Sequence, residues 1–129
     1  MSKRAIIPPA FKDAAESLNM SPGILAGDFL FLNGVTGGTG DIMPDDPELQ
    51  FQACFDKIRA VLAEAGLGFN AIVEMTTYHV GLQDHFEQFD AVRLKHLSAP
   101  YPAWTAVEVA GLRRQGAIVE LRVIAKMTD

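Results

Sequence analysis

The chain has 129 residues, a mass of 14.0 kDa and a formal net charge of -5. This length suits one domain over residues 1–129, and a composition that is 49% hydrophobic and 21% charged excludes global disorder. The acidic balance argues against a nucleic-acid partner, because a negative chain repels a phosphate backbone, and the one tight basic group is Arg113-Arg114.

The cysteine count and the apolar runs bear on location. Cys54 has no second cysteine to pair with, and residues 1–9 lack the pattern of a secretory signal. No apolar run approaches the ~20 residues that a bilayer-spanning helix needs. We therefore expect a cytoplasmic protein without membrane contact.

The first third of the chain predicts a β-hairpin. Residues 1–20 show no clear period and are predicted to be irregular. Residues 24–35 are rich in Leu, Phe and Val and are interrupted by Gly27-Asp28, a dipeptide typical of a turn between two strands. A loop rich in glycine and aspartate follows over residues 34–47.

An amphipathic helix begins after that loop. Asp46 is placed as its N-cap and Pro47 as its first residue, with Glu48 favourable to the helix dipole. Gly66 is predicted to end it. The apolar residues at helical spacing, which we expect to be buried, are Phe51, Phe55, Ile58, Leu62 and Ala65.

The remaining elements alternate between strand and helix. The pattern predicts a strand over residues 72–80, a helix over 84–97, and strands over 104–109 and 117–126. Strand, strand, helix, strand, helix, strand, strand is typical of an α+β fold. We expect a mixed sheet with two helices packed on one of its faces.

Side-chain alternation separates two faces in the last two strands. One face of residues 117–126 is uniformly apolar and should meet the helices; its members are Val119, Leu121, Val123 and Ala125. The other face carries Glu120 and Arg122, and we assign Trp104, Ala106 and Glu108 to it. We expect this second face to pack on other subunits, with Glu108 pairing to Arg122; a solvated sheet face is the alternative.

Most of the reactive residues fit no site template. The glycines near Gly34 lack the Lys-Ser/Thr that a phosphate loop requires, and the three histidines lack metal-ligand spacing, so we predict no metal and no cofactor. His79 is expected to be a satisfied core or interface histidine, and His85 and His96 to lie on the outside of the second helix. Cys54 is expected to be a small buried hydrophobe.

Glu120 is the candidate catalytic residue. A carboxylate beside Trp104 at a subunit interface could act as a proton donor or as a base that orients water. An ion pair with Arg122, or with an arginine of another subunit, is the structural alternative.

Three segments carry a family resemblance: Asn33-Gly34 at the end of a strand, the helix that closes in Ala63-Glu64-Ala65-Gly66, and Pro-Ala-Trp-Thr-Ala-Val-Glu-Val over residues 102–109 with the strand after it. In these the chain resembles the Rid (YjgF) family. The resemblance implies a chorismate-mutase-like homotrimer with clefts between subunits. The family's deaminases hydrolyse imines and enamines formed from amino acids without metal or organic cofactor, and Glu120 stands where they place the carboxylate that handles water.

Four positions depart from the family pattern. Trp104 stands where the deaminases carry the arginine that grips the substrate carboxylate, and Met20 stands near a site tyrosine. Asn33 replaces a small hydroxyl residue, and Asp90 an asparagine. Arg93, one helical turn from Asp90, either replaces the missing anchor or forms an i,i+3 ion pair.

The leading hypothesis is a divergent Rid-type hydrolase for a small intermediate with a C=N bond. Glu120 would orient water, Asn33 would hold developing charge, and Trp104 with its strand neighbour Ala106 would line the pocket. A non-catalytic binder or protein-protective trimer is the second hypothesis. An endoribonuclease is the third, and the acidic charge argues against it.

Overall fold

The structure is a computed structural model that describes residues 2–128. The helices are α1 (Lys12–Leu18), α2 (Pro47–Glu64) and α3 (Leu82–His96). The strands are β1 (Arg4–Ile6), β2 (Gly23–Ala26), β3 (Phe29–Leu32), β4 (Val35–Thr36), β5 (Ile72–His79), β6 (Ala103–Glu108) and β7 (Val119–Lys126).

The prediction of an irregular start over residues 1–20 is wrong. β1 pairs antiparallel with β2, and α1 follows after a short 3-10 turn. Ile6 is the buried residue of β1 and Ala15 the buried residue of α1, so no apolar period marks either element in the sequence. Met1 lies outside the described residues.

The strands form one mixed sheet in the order β1-β2-β3-β7-β5-β6, and β4 pairs with β7 beyond the end of β3. β5 and β6 are parallel, and the other pairs are antiparallel. β2 and β3 are the predicted hairpin, with Gly27 in its turn at a φ of 59°. β7, the last strand in the chain, lies in the middle of the sheet.

α2 follows the sequence pattern closely. The Asp46 carboxylate accepts a hydrogen bond of 3.1 Å from the Glu48 N–H, and Pro47 occupies the first turn, as predicted. Beyond the last turn, Gly66 has a φ of 77°, a conformation that other residues rarely adopt. The predicted apolar stripe is buried apart from Ala65, which is half-buried: Phe51, Phe55, Ile58 and Leu62 are each at most 1% exposed.

The core lies between the two long helices and one face of the sheet. The four residues of β7 that were expected to face the helices are each at most 1% exposed, which confirms that assignment. On α3 the buried apolar residues are Phe89 and Val92, and the ring of Phe89 packs edge-on against Phe51 at 5.3 Å between centroids.

The two long helices both pack on that face, and we call the opposite side of the sheet the uncovered face. It is apolar for a surface that meets solvent in a single chain: Phe29 is 39% and Val107 is 37% exposed. The strand register places these residues on it: Ile24, Ala26, Phe29, Phe31, Thr36, Glu74, Thr76, Tyr78, Ala103, Thr105, Val107, Glu120, Arg122, Ile124 and Lys126.

The strand register corrects the predicted position of Trp104. Trp104 is opposite Met75, which in turn is opposite Val123 in the helix-covered layer. Trp104, Ala106 and Glu108 therefore lie on the helix-covered face and not with Glu120. β5 separates β6 from β7, and alternation within one strand does not say which of its faces matches a face of a strand two places away.

The predicted pair of Glu108 and Arg122 is wrong for the same reason. The Glu108 carboxylate accepts a 3.0 Å hydrogen bond from the Leu82 N–H at the start of α3, where the helix dipole favours negative charge. Arg122 lies on the uncovered face, opposite Thr76.

Candidate functional site

Glu120 lies on the uncovered face between two neighbouring strands. Its cross-strand partners are Thr36 on β4 and Tyr78 on β5, and its own side chain is half-buried. The carboxylate rests against Gly34, where a β-carbon would overlap Oε2. The position of the carboxylate therefore requires glycine at residue 34.

Asn33 immediately precedes Gly34 in the sequence, and Met20 contacts the Asn33 side chain. The Asn33 backbone N–H donates to the Pro22 carbonyl at 2.9 Å, and its side-chain Nδ2 points at the Met20 sulfur at 2.6 Å. Both side chains are exposed. Asn33, through its neighbour Gly34, is thus close to Glu120, and Met20 is held next to Asn33.

Gln50 fixes the loops on either side of this region. Its side chain is 1% exposed and makes three hydrogen bonds: Nε2 donates to the carbonyls of Pro44 (2.7 Å) and Gly116 (3.1 Å), and Oε1 accepts from the Ile118 N–H at 3.0 Å. Gly37 packs on the Gln50 backbone so closely that a β-carbon would not fit. One buried amide therefore ties α2 to two loops.

Two basic side chains contact the backbone of residues 34–40, which we call the glycine loop. Lys57 Nζ donates to the Thr36 carbonyl at 2.6 Å, and Arg114 Nη2 donates to the Gly40 carbonyl at 2.8 Å. A β-carbon on Gly38 would lie 2.8 Å from Arg114 Nη1, so glycine lets the guanidinium lie on the loop. Burial lowers the pKa of Lys57, and the charge of Arg114 lowers it further.

Trp104 is enclosed by α3 behind the sheet. Its ring stacks on Phe86 at 5.7 Å between centroids, and the guanidinium carbon of Arg93 lies 4.4 Å from the ring centroid. Its indole N–H donates to Thr77 Oγ1 at 3.0 Å. Arg93 is also ion-paired to Asp90 at 2.7 Å, so the i,i+3 pair expected as one alternative is present.

The predicted site residues therefore fall into two groups. Glu120, Asn33 and Met20 come together around Gly34, on or beside the uncovered face. The other group lies on the helix-covered side near α3: Trp104, Ala106, Asp90 and Arg93. Within one chain the sheet separates the two groups.

A histidine pair extends the polar contacts of Trp104 into the core. His79 Nε2 lies 2.7 Å from Thr77 Oγ1, and His79 Nδ1 lies 3.1 Å from His85 Nε2. Burial, with a smaller effect of His85, lowers the pKa of His79 to about 4. His79 is a satisfied core histidine, as expected.

The outer positions predicted for His85 and His96 are wrong. His85 is 8% exposed and bonds to His79. His96 is half-buried, stacks on Phe55 at 4.9 Å, and contacts Gln52 Oε1 at 3.1 Å. Each imidazole points inward because it finds both an aromatic ring and a polar partner there.

Cys54 is buried and free, and burial raises the pKa of its thiol to about 12. This confirms its interpretation as a small buried hydrophobe. Between Ser2 and Thr128 no group of three His, Cys, Asp or Glu side chains is arranged to hold a metal ion. In the same part of the chain no helix is long and apolar enough to cross a membrane.

Sequence reasoning missed Gln50, Thr77, and the positions of Lys57 and Arg114. A signal was present in α2: Gln50, Cys54, Lys57 and Val61 are spaced by four, three and four residues, which places them along one helical face beside the apolar stripe. Arg114 carries no such signal, because its position depends on how the loop before β7 folds back.

The chain is similar to known proteins over most of its length. A family model described as Endoribonuclease L-PSP matches residues 12–127. The chain is 34% identical to the RutC family protein YjgH of Escherichia coli K12, over 100% of this chain and 98% of that protein.

Solved structures agree with these matches. A structure of protein YJGH superposes with a TM-score of 0.88 at 32% identity, covering 100% of this chain and 99% of that one. RidA from the Antarctic bacterium Psychrobacter sp. PAMC 21119 superposes with a TM-score of 0.77 at 28% identity, over 83% of this chain and 87% of its own.

Proposed function

The chain belongs to the Rid (YjgF) family, and we propose that it hydrolyses a small imine or enamine metabolite in clefts between the subunits of a homotrimer. The observation that carries the proposal is the contact of Glu120 with Gly34. A carboxylate held against bare backbone on a sheet face without helices can meet a small molecule that approaches along that face.

The proposed reaction uses one carboxylate as base and then as acid. Glu120 accepts a proton from water while the water oxygen bonds to the carbon of the C=N group, and the protonated carboxyl then delivers that proton to the nitrogen. Glu120 then takes the hydroxyl proton of this adduct and passes it to the nitrogen as the C–N bond breaks, which releases ammonia and leaves a carbonyl product. Asn33 and the backbone N–H groups of the glycine loop would stabilise the charge that develops on the substrate.

The proposed trimer is supported by the uncovered face. Phe29, Phe31, Val107 and Ile124 form an apolar surface that a second chain would bury. β6 is an edge strand of the sheet, so an indole wall for the cleft of Glu120 would come from Trp104 of a neighbouring subunit. A cleft confined between packed chains would accept only a small substrate.

The test couples an amino-acid oxidase, which generates 2-imino acids, to the purified protein and follows release of ammonia and 2-oxo acid. The wild type should accelerate hydrolysis, and Glu120→Gln should lose that acceleration by about 100-fold, the effect typical of removing a general base. Glu64→Gln removes an exposed carboxylate at the end of α2, away from the uncovered face, and should behave like the wild type. Sedimentation of the wild type should show trimers, and monomers at micromolar concentration would contradict the proposed clefts.

The second candidate is a non-catalytic binder, and the enclosure of Trp104 is the observation that favours it. Both the N–H and the ring of Trp104 already have partners within the chain, so the residue offers less to a substrate than an arginine would. Calorimetry that detects a bound metabolite without turnover, unaffected by Glu120→Gln, would select this candidate. RNA cleavage by the wild type that Glu120→Gln does not affect would support neither.

A further inference from the structure

Lys57 and Arg114 are two cations beside the glycine loop that have no acidic partner among residues 2–128. Within residues 2–128 the ion pairs are Arg59–Asp56 and Arg93–Asp90, and neither Lys57 nor Arg114 takes part in one. We propose that Lys57 and Arg114 form a small-anion site that holds the carboxylate or phosphate group of the ligand over the glycine loop, next to Glu120. The inference rests on the proposed function for the rest of that ligand.

Both side chains have N–H donors that make no hydrogen bond within residues 2–128. An ammonium has three N–H donors, and Lys57 uses one on the Thr36 carbonyl; a guanidinium has five, and Arg114 uses one on the Gly40 carbonyl. Both partners are neutral carbonyls. The remaining donors are therefore available to a charged acceptor, which forms stronger hydrogen bonds than a neutral one.

Because Lys57 is partly buried, an acidic partner would be expected for it, and none is present among residues 2–128. Lys57 is half-buried, and a cation taken out of water costs free energy unless an opposite charge offsets it. Burial lowers the pKa of Lys57, Cys54 opposes this, and the charge of Arg114 adds to the lowering. The carbonyls that Lys57 and Arg114 contact, those of Thr36 and Gly40, are four residues apart in the same loop. A bound anion would offset both the burial of the ammonium and the repulsion between the two cations.

The glycine loop holds this pair in place before a ligand arrives. Gly38 allows the guanidinium to lie on the backbone, and Gly37 packs on Gln50. Gln50 also bonds to Gly116 and Ile118, which fixes the loop that carries Arg114. An anion site assembled from rigid parts loses little entropy when it binds.

The proposed anion site lies close to Glu120, the carboxylate that would act on the same ligand. Thr36, whose carbonyl holds Lys57, is the cross-strand partner of Glu120. Cys54, one helical turn before Lys57, contacts the Val35 carbonyl, and the preceding residue, Gly34, contacts the Glu120 carboxylate. A ligand anchored by its anionic end at Lys57 and Arg114 would present its neighbouring carbons toward the Glu120 carboxylate.

Arg93 lacks these properties. Its guanidinium donates to Asp90 through two nitrogens, Nε and Nη2, and stacks on Trp104. Its charge is already neutralised by Asp90. The anchor that the resemblance assigns to position 104 is therefore replaced from α2 and from the loop before β7.

The test measures binding of three small probes by ligand-observed NMR: propionate, inorganic phosphate and the neutral isostere propionamide. The wild type should bind one of the anions and not propionamide, and the anion that binds identifies the ligand class. Arg114→Gln and Lys57→Met should each weaken that binding by about tenfold, the effect of losing a charge-assisted hydrogen bond. Lys57→Arg, which keeps the charge, should retain most of it.

Arg113→Gln is the matched control, because Arg113 is exposed and its replacement removes the same net charge from the same loop. It should change affinity by less than about twofold, as a screened surface charge does. Equal loss in Arg113→Gln and Arg114→Gln, or binding of propionamide as tight as that of propionate, would overturn the inference. Thermal unfolding of each variant verifies that the fold is intact.

These measurements distinguish failure of the hydrolase proposal from failure of the anion-site proposal. Glu120→Gln should lose turnover and keep anion binding. Anion binding that depends on Lys57 and Arg114, in a protein without turnover, would reject the hydrolase and keep the anion site. Turnover that is unchanged in Lys57→Met and Arg114→Gln would reject the anion site and keep the hydrolase.

Discussion

Glu120 Oε2 occupies the space next to Gly34 in which a side chain at position 34 would begin, so a larger residue there is incompatible with the present position of the carboxylate. The contact links the first half of the sheet to its last strand. The carboxylate is a flexible group, so a methyl at residue 34 would displace it without breaking the backbone around it. Position 34 therefore offers a way to move the carboxylate without removing it.

Gly34→Ala should reduce imine hydrolysis, though less than Glu120→Gln does, while the fold is retained. The expected measurements are a drop of about tenfold or more in kcat/KM, typical of a misplaced catalytic group, and a melting temperature within a few degrees of the wild type. Gly111→Ala is the control, since a β-carbon there meets nothing within 4 Å. Full activity of Gly34→Ala would mean that the position of the carboxylate is unimportant.

Thr77→Val should destabilise the protein by about 2 kcal/mol, because the shape is kept while the Trp104 N–H and His79 Nε2 both lose their partner. Urea unfolding followed by Trp104 fluorescence measures the change. Thr76→Val makes the same replacement on the uncovered face, where Thr76 is half-exposed, and should cost less than about 0.5 kcal/mol. Equal effects of the two variants would show that the polar contacts behind the sheet contribute nothing.

Gln50→Leu should lower the free energy of unfolding by about 3 kcal/mol. The variant leaves the carbonyls of Pro44 and Gly116 and the N–H of Ile118 without their buried partner. Gln88→Leu on the exposed side of α3 is the control, with an expected change below about 0.5 kcal/mol. Hydrogen exchange should also speed up at Ile118, and an unchanged rate there would argue against the bond.

Stability should fall as the pH is lowered from 6.5 toward 4. His79 is buried with its pKa lowered to about 4, against 6.5 in the unfolded chain, so in this window the unfolded state takes up a proton that the folded state does not. One such group changes the free energy of unfolding by on the order of 3 kcal/mol over the window. The loss is complete below pH 4, and above 6.5 the histidine has no effect.

His79→Gln should flatten most of that dependence in urea unfolding measured at several pH values. Some slope should remain, because burial also lowers the pKa of His85 and of His96. A wild type whose stability is constant between pH 6.5 and 4.5 would contradict the buried, neutral state of His79.

Local signals in the sequence were sufficient for most of the fold. Asp46, Pro47 and Gly66 mark the ends of α2 through chemistry within a few residues, and the alternation in β7 identified its buried face. The position of Trp104 could not be obtained in this way. It depends on β5 lying between β6 and β7, which is a long-range pairing that neither strand encodes by itself.

The candidate site was predictable in part for a related reason. Glu120 stood out from the strand alternation and Asn33 through the family resemblance, and the structure brings both to Gly34. Lys57 and Arg114 approach the glycine loop from elements 20 or more residues away in the chain, and their role follows from contacts to backbone carbonyls. Residue type alone does not distinguish such a contact from an exposed charge.

The central place of β7 has a consequence for how the protein is made. β3, β4 and β5 all hydrogen-bond to β7, yet it leaves the ribosome after them. Until β7 is synthesised, three strands of the nascent chain lack the strand with which they pair. A chain terminated before Val119 would never acquire it. We expect such truncated chains to aggregate, because unpaired strand edges and exposed apolar surface favour association between chains.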